Sequence, residues 1–192
     1  MMLPLLVAQA SAPAPAPKTH TVEVDLHFGL SYDVGEQAIQ ELALSDHRFG
    51  ETFSVAAVYK TRYFLSPFVD VGYSAVSSGG TLVPFYQYGG PAIADQRLSL
   101  WNVSSGFAFD TWRLRFQAGL GLGVVVLRAR VGADESHSAR LAPLALFATS
   151  LDLVRAPRFA LALKLQALLS SQHLDVQVFS AGLEIRGDLV RF

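Results

Sequence analysis

The chain has 192 residues, of which 51% are hydrophobic and only 16% are charged, and its formal net charge is −1. Soluble domains carry about 25% charged residues, so the chain is poor in charge, and its balance argues against nucleic acid as a partner. Cysteine is absent, which excludes disulfides, thiolate metal sites and thiol nucleophiles.

The N-terminal residues differ in composition from the rest of the chain. Met2–Val7 is a short apolar run, and Ala8-Gln9-Ala10 after it is a small-residue cleavage pattern typical of secretion signals, although no basic segment precedes the run. Residues 11–17 read S-A-P-A-P-A-P, which favours an extended linker. We therefore expect residues 1–19 to be a signal remnant and linker, and residues 20–192 to form one domain.

From residue 20 onward, apolar and polar residues alternate with a period of two. In residues 21–32, one parity carries Val, Val, Leu, Phe, Leu and Tyr, and the other carries Thr, Glu, Asp, His, Gly and Ser. Residues 112–126 show the same pattern, with an apolar face backed by arginine, glutamine and glycine. Successive side chains of a strand point to opposite faces. A long apolar face of this kind is typical of a strand between lipid and a polar interior, and no uninterrupted apolar run reaches the roughly 18 residues of a membrane helix.

Eight segments of this kind follow one another along the chain. We predict strands at residues 20–32, 52–64, 68–77, 97–109, 112–127, 141–154, 158–170 and 174–187. The connections at 65–67, 110–111, 155–157 and 171–173 are short, whereas those at 33–51, 78–96 and 128–140 are long and polar. Membrane barrels have short turns at one end and longer loops at the other. The sequence therefore predicts an all-β fold, an eight-stranded antiparallel transmembrane β-barrel, and no internal repeat is evident.

Two local patterns bear on this prediction. A two-residue turn at Asp110-Thr111 would make Phe109 face Trp112 and Phe107 face Leu114, with both faces consistent over several pairs. Residues 141–170 are rich in leucine and alanine, which are good helix formers. Phe159 and the leucines that follow it nevertheless share strand parity, so we favour strands over helix there.

One face of the predicted strands carries acids and bases in nearly equal numbers. The interior of an eight-stranded barrel is just wide enough for side chains, and an isolated buried charge is costly. We therefore expect these charges to pair and to close the lumen, with a narrow polar conduit as the alternative. The predicted lumen charges are Glu23, Asp25, Lys60, Arg62, Asp70, Arg113, Arg115, Asp152, Lys164, Glu184 and Arg186, with His27 beside them.

Aromatic residues gather near the ends of the predicted strands. Membrane barrels carry aromatic girdles at both interfaces, and ordinary core packing is the alternative. The predicted girdle residues are Tyr32, Phe53 and Trp101 toward the long loops, and Tyr63, Phe68, Phe109, Trp112 and Phe159 toward the short turns.

Groups with catalytic or ligating chemistry are sparse. Ser136-His137-Ser138 and His173 with Asp175 lie near predicted outer loops, and we interpret them as solvated loop residues. Asp134, Glu135 and His137 could ligate a metal, but three such residues are common in a loop, and we interpret them in the same way. No G-x-S-x-G, H-E-x-x-H or phosphate-loop spacing occurs. The sequence predicts no catalytic, cofactor or metal site.

Together these patterns resemble the small outer-membrane barrels of Gram-negative bacteria, the group of the OmpA transmembrane domain, OmpX and OmpW. The final residues G-D-L-V-R-F resemble the insertion signal of that group through Gly187, Val190 and Phe192, although Ile185 stands where a polar residue is usual. Phe192 has the opposite parity to the apolar face that ends at Ile185. Either a bulge near Gly187 reconciles the two, or the last residues leave the strand.

The resemblance implies an outer-membrane location, with lipid and lipopolysaccharide around the barrel and the barrel-assembly machinery as a partner during insertion. It also implies a structural or interaction role, with an envelope protein partner as a further expectation and no cofactor. The alternatives are a lipid A-modifying barrel enzyme, a narrow pore for small solutes, and a soluble lipocalin-like barrel. The Gly-x-Trp that lipocalins usually carry near the first strand is absent.

Overall fold

The computed structural model describes residues 20–33, 49–61, 64–85, 90–170 and 177–191, and these residues form a closed β-barrel. Its strands are β1 (Thr21–Asp33), β2 (Phe49–Lys60), β3 (Leu65–Phe85), β4 (Gly90–Thr111), β5 (Leu114–Val131), β6 (Asp134–Ala156), β7 (Phe159–Leu169) and β8 (Gln177–Arg191). Every strand pairs antiparallel with the next, and β8 pairs with β1.

The predicted eight-stranded antiparallel barrel is confirmed, and strand rather than helix is also confirmed for β6 and β7. The predicted signal remnant and linker at residues 1–19 lie outside the described residues. No helix among the described residues is long and apolar enough to cross a membrane.

Strands β3 to β6 continue well beyond their predicted ends, so the predicted long loops at 78–96 and 128–140 are wrong. β3 and β4 stay paired from Ser78↔Gln96 to Phe85↔Gly90. β5 and β6 stay paired up to Val131↔Asp134, around a turn in which Gly132 has a φ of 60°. In the β5–β6 extension the side chains of both faces are exposed or half-exposed, so polar residues occupy both parities and the alternation that marks a strand disappears.

Three of the predicted short turns are also displaced. Residues 65–67 begin β3, and the β6–β7 turn lies at Pro157-Arg158. The β4–β5 turn lies at Trp112-Arg113 instead of Asp110-Thr111, so Phe109 pairs with Phe116 and not with Trp112. Trp112 has a φ of 41°, a left-handed conformation that is uncommon for a bulky residue. A shift of two residues preserves parity, so the predicted faces survive this error.

Parity sorts the side chains into an outer and an inner set. The outer face is an apolar belt of large hydrophobic side chains that are 40–74% exposed. A contiguous apolar surface of this extent is rare on monomeric soluble proteins. The belt includes Phe28 and Leu30 on β1, Phe53 on β2, Val69 and Val71 on β3, Trp101, Val103 and Phe107 on β4, Leu120, Leu122 and Val124 on β5, Phe147 and Leu151 on β6, Leu163 and Leu165 on β7, and Phe179 and Leu183 on β8.

A β-bulge near the C-terminus removes the parity conflict of the final residues. Asp188 pairs with Glu23 and Val190 pairs with Val22, so Leu189 is an extra residue in β8. Val190 therefore returns to the outer face that also carries Ile185. Phe192 lies outside the described residues.

The apolar belt allows a test of which face of β5 points toward lipid. Leu120→Arg places a cation on the apolar face, where it costs roughly 2–4 kcal/mol near the middle of a bilayer. We expect a lower free energy of unfolding in lipid vesicles, measured by urea titration. Ala133→Arg, in the exposed β5–β6 turn, is the matched control and should unfold like the wild type. Equal stability of Leu120→Arg and the wild type would show that residue 120 does not face lipid.

Candidate functional site

The lumen holds two different layers of side chains. Charged residues gather toward the end that carries the β4–β5 and β6–β7 turns, which we call the short-turn end. Apolar side chains fill the lumen toward the opposite end, which we call the hairpin end because β3–β4 and β5–β6 project there. Within the closed part of the barrel, both layers lie on the same inward-facing parity of the strands.

The first charged cluster surrounds Arg115 on β5, which is fully buried. Its Nη1 donates to Asp25 at 2.7 Å, its Nε donates to Asp110 at 2.6 Å, and its Nη2 donates to Glu23. Lys60 Nζ lies 3.3 Å from Glu23 and 2.6 Å from Asp110. One guanidinium thus joins carboxylates from β1 and β4 across the lumen, and the lysine of β2 closes the cluster.

The second charged cluster surrounds Arg186 on β8. Its Nε donates to Glu184 at 2.7 Å and its Nη1 donates to Asp152 at 2.8 Å. Lys164 Nζ lies 3.2 Å from Glu184, and both of these side chains are fully buried. Arg155, at the mouth of the lumen, lies 3.7 Å from Asp152. This cluster ties β6, β7 and β8 together from inside.

Two further predicted residues are buried beside the clusters without joining an ion pair among the described residues. Asp70 accepts a long hydrogen bond, 3.4 Å, from Asn102. His27 pairs in register with Glu184, and neither of its ring nitrogens has a hydrogen-bond partner in the described part of the chain. Their burial shows that polar residues also fill the middle of the lumen, between the two clusters and the apolar layer.

Some predicted lumen residues are not where the sequence placed them. Arg113 lies in the exposed β4–β5 turn, with its guanidinium carbon 5.2 Å from the centre of the Trp112 ring, so its assignment to the lumen is wrong. The displaced turn explains this error. The same displacement hid Asp110, which is a lumen ligand of Arg115 and not a turn residue. Arg62 lies outside the described residues.

The apolar layer of the lumen was missed altogether. Its large members are at most 3% exposed, so they pack against one another inside the barrel. The sequence did contain a signal for this layer. Residues 141–148 are apolar at both parities, which indicates a strand whose inward face is apolar as well as its outward face. The large members at the hairpin end are Leu100, Val125, Leu144, Leu146, Leu168 and Val178, and the same cluster continues toward the short-turn end through Val58 and Phe68.

The predicted girdle residues occupy several kinds of position. Trp101 faces outward against Tyr73, with ring centroids 4.5 Å apart, and Tyr32 faces outward against Phe49 at 5.1 Å. At the short-turn end, Phe109 packs on Phe64 at 3.9 Å. Trp112 and Phe159 are exposed there as well, Phe53 faces outward on β2, and Tyr63 lies outside the described residues.

Phe68 was predicted to face the membrane interface, and this prediction is wrong. Phe68 points into the lumen, where it is 3% exposed, and it pairs in register with Gly106. A Cβ added at Gly119 would lie 3.1 Å from the Phe68 ring. The glycines on β4 and β5 therefore leave room for an inward aromatic ring.

Catalytic chemistry finds no support at the candidate residues. Ser136, His137 and Ser138 are consecutive in β6, so the imidazole projects from the opposite face of the strand to both hydroxyls and cannot activate either one. Among the described residues, no group of three histidine, aspartate or glutamate side chains could hold a metal ion. His173 and Asp175 lie outside the described residues.

Comparisons with known proteins agree on the fold. No protein-family model and no curated protein sequence matches the chain. Among solved structures, the attachment invasion locus protein Ail of Yersinia pestis is similar over 91% of this chain and 98% of that chain, with 12% sequence identity and a TM-score of 0.53. Neisserial surface protein A covers 89% of this chain and 97% of its own, at 14% identity and a TM-score of 0.47.

The N-terminal β-barrel domain of Pseudomonas aeruginosa OprF matches 90% of this chain and 100% of its own, at 12% identity and a TM-score of 0.46. The conclusion about the fold rests on the similarity to Ail, which has the highest TM-score of these three structures. It shows that the chain has the fold of the small eight-stranded outer-membrane barrels.

The Arg115 cluster yields a stability prediction. Arg115→Met keeps the volume and leaves Glu23, Asp25 and Asp110 without their shared cation, and such a loss costs about 3–5 kcal/mol when the pair is buried. We expect a large fall in the free energy of unfolding in vesicles, measured by urea titration.

Arg97→Met is the matched control, because Arg97 pairs with Glu51 on the exposed outer surface at 3.3 Å, where a pair contributes about 0–1 kcal/mol. If both variants lost the same small amount of stability, the buried cluster would not hold the strands together.

Proposed function

We propose that the protein is an integral barrel of the Gram-negative outer membrane that acts through its surfaces, with a lumen closed to solutes. The observation that carries this proposal is the inversion of faces, with a continuous apolar belt outside and paired charges inside. A soluble lipocalin-like barrel has the reverse arrangement. In lipid, the belt lies in an apolar solvent and every backbone group of a closed barrel can be bonded to a neighbouring strand.

Closure of the lumen rests on two barriers in series. The Arg115 and Arg186 clusters hold charged side chains across the short-turn half of the lumen. Leu100, Leu144 and Leu146 fill the other half, each at most 2% exposed. A solute would have to separate buried ion pairs and then cross a dry apolar layer, so this arrangement favours a plug over a pore.

The partners that we propose follow from the surfaces. Outer-membrane lipid and lipopolysaccharide would cover the apolar belt, and the barrel-assembly machinery would insert the chain. The projecting ends of β5 and β6 offer exposed polar side chains at the hairpin end, where an envelope or external protein could bind. The opposite faces of Ser136 and His137 give no support to lipid A-modifying chemistry, and the balanced charge gives no support to nucleic acid as a partner.

The closed lumen predicts the electrical behaviour of the purified protein. In planar lipid bilayers the protein should give no stable conductance of porin size, because buried charge pairs and leucine side chains lie across the lumen. The same preparation should show heat-modifiable gel mobility and require detergent or lipid to stay folded, which proves that folded barrel was present. A reproducible large conductance from heat-modifiable protein would contradict closure, and a folded protein without detergent would contradict membrane insertion.

A further inference from the structure

A small pocket lies at the short-turn mouth of the lumen. It has a volume of about 120 Å³, and members of both charged clusters line it together with residues of the β6–β7 turn. This volume corresponds to roughly four water molecules, so the pocket can hold a group of a few heavy atoms. Most of the described residues that line it are charged, which indicates a polar occupant.

The charges around this pocket do not balance. Two of the acids already have cationic partners, because Asp152 lies 2.8 Å from Arg186 and Glu23 lies 3.3 Å from Lys60. Counted over the described lining residues, four cations outnumber three acids, so one positive charge is in excess. The cations are Lys60, Arg155, Arg158 and Arg186, and the acids are Glu23, Asp152 and Asp188.

Arg186 supplies a buried donor that is not satisfied. Its Nε and Nη1 donate to Glu184 and Asp152, but its Nη2 has no hydrogen-bond partner in the described part of the chain, and the residue is only 4% exposed. A buried donor without an acceptor lowers stability, and in a folded protein such a group indicates a bound water or ion. Because the excess charge of the pocket is positive, an anion fits better than water.

The β6–β7 turn adds donors that solvent can reach. Arg158, the second residue of this turn, is exposed and forms no ion pair among the described residues. Arg155 is exposed as well, and its Nη1 donates to the carbonyl oxygen of Trp112 at 2.6 Å. With Lys60 on β2, the cations come from separate elements around the pocket. A tetrahedral phosphate group offers acceptors in several directions, and guanidinium groups pair well with its oxygens.

We propose that this pocket binds a phosphate group at the short-turn mouth of the lumen, with Arg186, Arg158 and Lys60 as its main partners. The inference goes beyond the proposed function, because it concerns the solvent-facing mouth and neither the apolar belt nor the closure of the lumen. The phosphate group belongs either to free phosphate or to the headgroup of a phospholipid beside the rim. Both sources have the same chemistry, and the experiment below separates them.

Binding is measured on the full-length chain refolded in an uncharged maltoside detergent, which contains no phosphate. Equilibrium dialysis against radiolabelled inorganic phosphate, at constant ionic strength in chloride buffer, gives the affinity. We expect saturable binding that unlabelled phosphate displaces and acetate displaces poorly. Absence of saturable binding, or equal displacement by acetate and phosphate, overturns the proposal.

Two arginines provide a matched pair of variants. Arg158→Ser removes a guanidinium from the pocket, whereas Arg113→Ser removes one from the β4–β5 turn, and Arg113 is not among the described lining residues. Each arginine is the second residue of a two-residue turn. The carbonyl oxygen of Arg113 accepts from the N–H of Asp152 at 2.8 Å, and that of Arg158 accepts from the N–H of Asp188 at 3.2 Å. The two substitutions thus change charge and turn alike and differ only at the pocket.

We expect Arg158→Ser to bind phosphate about tenfold more weakly, the usual effect of losing one charge-assisted hydrogen bond. Arg113→Ser should bind like the wild type, and Arg158→Lys should recover part of the lost affinity because it restores the positive charge. Heat-modifiable gel mobility confirms that each variant is folded. The same affinity in Arg158→Ser and Arg113→Ser would show that the pocket is not the binding site.

The source of the phosphate group is found by repeating the dialysis in phosphatidylglycerol vesicles prepared in the labelled phosphate. Binding in detergent that disappears in vesicles supports a pocket occupied by a lipid headgroup. Equal binding in both supports free phosphate as the ligand. A chain that binds no phosphate in detergent refutes the site and leaves the closed lumen, which bilayer conductance tests, unaffected.

Discussion

The pairing of β8 with β1 is the constraint on which the rest of the structure depends. It closes the sheet, so in the ring formed by the described strands each strand is paired on both edges and has one face outside and one inside. The outer face meets lipid and the inner face meets the other side chains of the lumen. This difference determines which kinds of residue fit at each position. The apolar belt and the charged lumen are therefore two consequences of a single closure.

Closure also dictates how the lumen must be filled. Charges brought inside lose their hydration, and they are tolerated when each finds a partner with good geometry. Arg115 meets this requirement with three carboxylates from two strands, and Arg186 meets it with two carboxylates from β6 and β8. The leucine layer meets the same space requirement without charge, by packing alone. The lumen is thus filled by paired charges at one end and by packed apolar side chains at the other.

The sequence predicted what depends on parity and failed where other physics decides. The inward placement of Asp25, Arg115 and Glu184 follows from alternation, and a two-residue error in the β4–β5 turn left it unchanged. The position of the turn depends on a positive φ at Trp112, and tryptophan has no preference for that conformation from which the turn could have been predicted. The partners within the lumen depended on contacts across the barrel, which sequence separation hides. The extension of β5 and β6 has no buried face, and its sequence therefore shows no alternation.

The tetrapeptide Asp-Leu-Val-Arg occurs at residues 152–155 and again at residues 188–191, and at both places it ends the regular alternation of a strand at the short-turn end of the barrel. At the ends of β6 and β8, the bulge lets an inward aspartate be followed by two outward apolar side chains. A bulge is a way to re-aim side chains at the edge of a barrel, and many sequences can form one. In both strands the backbone N–H of the aspartate donates to the carbonyl oxygen of the second turn residue, Arg113 or Arg158, so the same local arrangement ends two strands of the barrel because it meets the same backbone surroundings.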